Sequence, residues 1–496
     1  MRTLLVTLVV VMLGSGVAFA MGYENTTEKI ESRIGELEFV GGYPTQSTIG
    51  KAFDQLDVQR ATQAFLEFMP MMSVNAIFDS HGRDYGIPVP GDVGVYVEPG
   101  AGKVGAIGLT YNTESIYATA CTDLKGDGPT VVETPPNVLG VVDDGWQRWL
   151  TDLGNAGPDK GKGGKYLLLP PGYEGEVPDG YFIVECPTYR NWVMVRGFVE
   201  DTGTGDDALD YYRKNFRIYP LAGGPRKDAK YVSLTFKGGN TTHPLDVTYF
   251  DMLNRIVQHE PSSAFTAYEL GLLKSLGIEK GKAFAPDARM IGLLAEGVLI
   301  GDTIARANAY ENRLEGVRRY PDRKYELIFL GGRHDFMSGD AMWLDARTLF
   351  HYEAIVVTPA MTAKMVGVGS QYLATYRDAT GDFLMGDSAY KLHLPKGIPA
   401  KNFWSVTAYH PKTRSLLQNG TPKPSVSTYD APDANPDANP DGSVDIWFAP
   451  EAPKGKEKNY IKTIPGEGWF IYIRLYGPLE PFFNGEWKPD DIVKVN

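Results

Sequence analysis

Apolar residues recur at three- and four-residue spacing between positions 58 and 69, through Val58, Ala61, Phe65, Phe68 and Met69. That period predicts an amphipathic helix, ending near Pro70 because proline cannot donate the next helical hydrogen bond. A second helical stretch is expected over residues 72–78. From about 90 to 220 the period shortens to two. Runs at 93–97, 115–121, 131–133, 165–169, 181–185 and 192–199 are separated by turn-forming clusters such as Pro170-Pro171-Gly172 and Pro178-Asp179-Gly180. Strands at this spacing predict a sandwich or jelly roll. Residues 206–215 read as a short helix. Helical periods return at 247–259, at 264–276 with Ser262-Ser263 as N-cap and Gly277 as C-cap, and at 287–307. The last of these is apolar enough to pack against a domain or a subunit. After residue 350 strand-like runs continue to the end.

The N-terminus has the pattern of a secretory signal. Arg2 is followed by an apolar run over residues 3–13, then by the small-x-small pattern Ala18-Phe19-Ala20. Cleavage after Ala20 would leave Met21 first, and the mature protein is expected in the periplasm or outside the cell. The apolar run is short for a membrane span. Loss of Arg2 would take the formal net charge from −12 to −13. An acidic chain without a long basic run argues against nucleic acid and anionic membrane as partners. Aromatics at 12%, with 34 prolines and 56 glycines, favour strands and tight turns over a helix bundle. Cys121 and Cys186 are the only cysteines. In an exported protein they either bridge or act as two small buried apolar residues.

Three C-terminal blocks carry a family resemblance: Phe403-Trp404-Ser405-Val406-Thr407-Ala408-Tyr409, Ser443-Val444-Asp445-Ile446-Trp447-Phe448, and Trp469-Phe470-Ile471-Tyr472-Ile473-Arg474-Leu475-Tyr476. They resemble the bacterial tandem of DUF1254 followed by DUF1214, over about residues 50–220 and 370–480. The resemblance implies a mainly β fold: two jelly-roll-like β-sandwich domains with a helical insert between them, forming homo-oligomers. The expected organisation is a signal over 1–20, a flexible leader over 21–50, an N-terminal domain over 51–230, the insert over 245–345 and a C-terminal domain over 350–496.

Candidate chemistry sits in three places. Asn112-Thr113-Glu114-Ser115-Ile116-Tyr117 is similar to the family block N-x-D-T-x-Y, with Glu and Ser in place of Asp and Thr. In a cavity, Asn112 can hydrogen-bond a ligand, Glu114 can act as general base and Tyr117 can donate to an oxyanion; otherwise the block is a turn. In the second, strand alternation puts Trp192, Met194 and Arg196 on one face. Arg196 there is either an anion clamp or the partner of an acid such as Glu114. In the third, Phe470, Tyr472, Arg474 and Tyr476 share a face opposite Ile471, Ile473 and Leu475. In the neighbouring block Trp404, Val406 and Ala408 alternate with Phe403, Ser405, Thr407 and Tyr409, and the aromatics Trp404 and Tyr409 are ligand-binding candidates. Arg474 is expected to pair with Asp445, or else to serve a ligand. The Asp/Asn/Pro repeat at 431–442 reads as a solvated turn rather than a calcium loop.

No metal and no cofactor is expected: no histidine pair has zinc-helix spacing, and no G-x-S-x-G, P-loop or G-x-G-x-x-G motif follows a strand. Two function classes stay open. One is an exported protein that binds a small apolar or aromatic ligand or assembles into an oligomer. The other is a hydrolase or lyase with a carboxylate base and Tyr/Arg stabilisation. A solvent-open cavity holding an acid, a tyrosine and an arginine favours the enzyme.

Overall fold

The computed structural model describes residues 27–87, 90–99, 105–428 and 438–495. The signal sequence and most of the 431–442 repeat lie outside the described residues. The chain divides into two compact units with the boundary between Gln59 and Arg60.

In the first unit, Thr27–Ser32, Gly35–Val40 and Tyr43–Pro44 form a three-stranded antiparallel sheet where the sequence reads as a flexible leader. Every residue of the first strand is exposed, so it carries no period-two signal to detect. Gly35 closes the hairpin at φ 92°.

A single helix, Gln46–Arg83, replaces the two expected helices and runs through Pro70. An interior proline costs about 3 kcal/mol. Around it Phe65, Phe68, Met69, Met71 and Met72 have no solvent exposure. Burying each is worth roughly 1.5–3 kcal/mol, so packing outweighs the lost hydrogen bond. The surrounding core comes from Thr248–His259, Ala267–Ser275 and Ala288–Tyr310. Gly297 and Gly301 let the last of these helices approach closely: a Cβ on Gly297 would lie 2.3 Å from that of Ala61. The middle helix starts later than its expected Ser262-Ser263 cap. Residues 262–264 form a 3-10 turn, and Thr266 caps the helix reciprocally with Glu269. Gly277 follows its end at φ 87°, as expected of a C-terminal glycine.

The N-terminal β region is a six-stranded sheet, in the order Tyr231–Ser233, Val93–Tyr96, Ile116–Asp123, Arg190–Gly197, Leu139–Asp144, Trp149–Gly154. It packs on a four-stranded sheet built from Phe182–Glu185, Gly164–Leu169, Thr130–Thr134 and Arg217–Pro220. Alternation decides which residues face which way. Ala118, Ala120, Val193 and Val195 enter the core between the sheets. Tyr117, Thr119, Trp192, Met194 and Arg196 point to the opposite side.

The C-terminal region repeats the arrangement. Ser370–Thr375, Phe470–Pro478, Ala400–Tyr409 and Ser425–Ser427 form one sheet, and Tyr460–Lys462, Val444–Ala449, Ala389–Leu394 and Val493–Val495 the other. Ile471, Ile473 and Leu475 lie in the core between them, with Trp404, Val406 and Ala408. The opposite face carries Phe470, Tyr472, Arg474 and Tyr476, as the parity predicts. Across the described residues, helices and strands have nearly equal shares. The β-rich expectation therefore holds only in coarse form.

Candidate functional site

The outward faces of the six-stranded N-terminal sheet and of the C-terminal sheet that holds Phe470–Pro478 bound one cavity of about 160 Å³. Tyr117, Trp192, Met194 and Arg196 come from the N-terminal sheet, and Ser370, Tyr372 and Arg474 from the C-terminal one. The long helix adds Ile77 and His81, Tyr85 follows just after its end, and a strap over residues 355–361 closes another side.

Arg474 is 6% exposed. It donates from Nε and Nη2 to the Tyr409 hydroxyl, at 3.2 and 2.8 Å, and from Nη2 to the Thr110 carbonyl. Its guanidinium lies 5.2–5.4 Å from the rings of Tyr372 and Tyr472, within cation–π range. The expected Asp445 partner is elsewhere. Asp445 sits on the second C-terminal sheet, 2.7 Å from His393 Nδ1. Parity alone did not reveal that the two strands belong to different sheets of the sandwich.

Arg196, 8% exposed, lies 4.7 Å from the centre of the Tyr476 ring. Its expected partner, Glu114, is also engaged elsewhere. The Glu114 carboxylate accepts from Ser427 Oγ at 2.7 Å, Thr113 Oγ1 at 2.7 Å and Lys423 Nζ at 3.2 Å. It is not among the residues that line the cavity; Glu114 ties the 112–115 turn to the Ser425–Ser427 strand. Asn112 does line the cavity. Its Oδ1 accepts from the Glu114 backbone N–H at 2.6 Å, and its Nδ2 donates to the Tyr476 hydroxyl.

The cavity thus gathers Asn112, Tyr117, Trp192, Arg196 and Arg474 from the sequence-predicted set. Trp404 is a core residue, because alternation turns it inward with Val406. Tyr409 shares the right face but stands behind Arg474, donating to the Tyr111 carbonyl at 2.9 Å. Cys121 and Cys186 are free and separately buried, which removes the disulfide. Cys121 Sγ is instead 3.5 Å from His81 Nδ1. Burial pushes the His81 imidazole down to about 4 and the Cys121 thiol up, so neither is charged near neutral pH.

The sequence reading missed Tyr372, Asp152 and the strap. Tyr372 alternates with Ser370 in its strand, which was a usable signal. Burial raises the Tyr372 hydroxyl to about 12, so it is a donor at neutral pH. Burial also raises Asp152 to about 6, although the Thr358 hydroxyl donates to it. The strap is fixed by that bond and by the Val357 N–H, 3.0 Å from Asp143 Oδ2. Immediately before these two anchors Val356 adopts φ 79°, which is strained for a β-branched residue. Among the described residues no group of three His, Cys, Asp or Glu is placed to hold a metal ion.

The chain is similar in fold to the VPA0106 protein from Vibrio parahaemolyticus, with a TM-score of 0.51 at 17% identity, over 89% of this chain and 100% of that one. An uncharacterized protein from Burkholderia cenocepacia aligns at 14% identity with a TM-score of 0.39, over 90% of this chain and 97% of its own. No curated protein matches the chain. Residues 96–220 match the family model of a protein of unknown function, DUF1254, and residues 369–480 that of another, DUF1214. Tyr117, Trp192 and Arg196 fall in the first match and Tyr372 and Arg474 in the second, so both contribute walls to the cavity. The chain is a DUF1254–DUF1214 tandem protein, with the two domains in that order.

Proposed function

We propose that this protein is an exported binding protein whose inter-sheet cavity takes a small apolar or aromatic molecule. One observation carries the reading: a cavity of about 160 Å³ walled by Trp192 and several tyrosines. A dry apolar cavity of about 150 Å³ is large enough for benzene, so the volume suits a single ring with a small substituent. Trp192 is held by its Nε1–H bond to Thr119 Oγ1 at 2.7 Å, which keeps the indole as a fixed wall. The export signal, the jelly-roll character of the two sandwiches and a homo-oligomer belong to the same proposal. The exposed Ile291, Leu299 and Ile304 of the Ala288–Tyr310 helix support association of copies of this chain. Native mass spectrometry of the purified protein is expected to show an adduct of single-ring size that disappears in Trp192→Ala. A bare chain mass that stays bare after incubation with a library of single-ring compounds refutes the reading.

A second reading is supported by Asp152. An acid poised near 6 lines the same cavity as Tyr117, Tyr372 and both arginines, the combination a hydrolase or lyase would use. Asp152→Asn is expected to abolish any turnover of bound compounds while retaining their binding. Turnover that survives the substitution removes Asp152 as the base.

A further inference from the structure

Two guanidinium groups line a cavity of single-ring size, and both belong to residues less than 9% exposed. Among the described residues neither stands in an ion pair with a carboxylate. Buried charges ordinarily carry a counter-charge, because the protein interior replaces hydration poorly. The groups around these two are tyrosine rings and hydroxyls, the Thr110 carbonyl and the Asn112 amide, none of them a carboxylate. Asp152 is the acid on the cavity wall, and its Oδ1 is engaged by Thr358 Oγ1 on the strap. Even with Asp152 ionised, the wall keeps an excess positive charge.

We infer that the ligand is an aromatic monocarboxylate, its ring against Trp192 and the tyrosines and its carboxylate between Arg196 and Arg474. This rests on the binding reading above and names the ligand class for that site. Planar guanidinium groups match a carboxylate in geometry as well as charge. A free phosphate would leave the aromatic walls unused, and a neutral ring would leave both arginines uncompensated. The two arginines belong to different matched domains, so the ligand bridges DUF1254 and DUF1214. Tyr117 and Tyr372 line the same cavity as both arginines; burial raises their hydroxyls and the two positive charges pull the other way.

Isothermal titration of the full-length mature protein with benzoate, benzamide and inorganic phosphate tests the inference. Benzamide has nearly the shape of benzoate without the charge. Benzoate is expected to bind at least roughly 30-fold more tightly than benzamide, and phosphate not at all. Arg196→Met and Arg474→Met are each expected to lose benzoate affinity while keeping that for benzamide. Equal affinity for benzoate and benzamide overturns the carboxylate class and leaves the aromatic cavity standing. Binding of neither at millimolar concentration overturns both. Tighter binding of phosphate than of benzoate overturns the ring. The comparison of ligands on the wild type decides the matter even if an arginine variant does not fold.

Discussion

The Glu353→Gln variant is expected to be much more stable than the wild type at pH 8 and nearly equal to it at pH 5. Glu353 has no solvent exposure. Its Oε2 accepts from Tyr376 at 2.8 Å and from Tyr472 at 2.6 Å, while Oε1 has no partner among the described residues. Burial pushes the carboxyl up to about 8 from an ordinary 4.5, against the downward pull of the two tyrosines. Nearby Glu326, itself raised to about 7 by burial, works in the same direction. The unfolded chain releases the proton near 4.5 while the folded chain holds it. The stability contributed by the protonated group is therefore full below 4.5 and is lost as pH rises towards 8. At about 1.4 kcal/mol per pH unit, the loss reaches a ceiling of roughly 5 kcal/mol. Glutamine keeps an acceptor for both hydroxyls and has no proton to lose. Urea melts at the two pH values measure this, and a stability difference that does not change with pH sinks the argument.

Gly369→Ala is expected to destabilise the fold by roughly 3–5 kcal/mol and to collapse ligand binding, while Gly367→Ala costs about 1–2 kcal/mol. Both glycines lie in the left-handed region, at φ 71° and 75°, so a side chain is strained at either. They differ in space. A Cβ on Gly369 would lie 2.0 Å from the Ala360 carbonyl oxygen, a backbone atom of the strap. On Gly367 the nearest atom is the flexible Lys401 Cδ at 3.7 Å. Relief at Gly369 must move the strap, which Asp143 and Asp152 hold through Val357 and Thr358. The strap in turn lines the cavity, so packing strain is converted into loss of the site. Equal destabilisation of the two variants, by denaturant titration, would show that the contact with Ala360 is not rigid.

Local period and parity decided what each strand presents to either side. They put Trp192, Met194 and Arg196 on one face, and Arg474 with its three aromatics on one face, because a strand's alternation is a property of neighbouring residues alone. The Gly205–Asn215 helix and the glycine closing Ala267–Ser275 were legible for the same reason. So were the tandem order and the strand-rich ends, carried by contiguous motifs. What a polar group touches across the fold was not legible. By sequence Arg474 and Asp445 read as partners because both sit among apolar residues, yet the sandwich places them on different sheets. Glu114 and Arg196 likewise read as candidate partners, yet one closes a bond network with Lys423 and Ser427 and the other lies against Tyr476. Pro70 reads as a helix end until the core packed around it is counted. Sequence by itself determined the faces; only tertiary structure decided that the two polar-aromatic faces meet across a cavity. Long-range partners depend on sheet order and chain crossings, which no local spacing encodes.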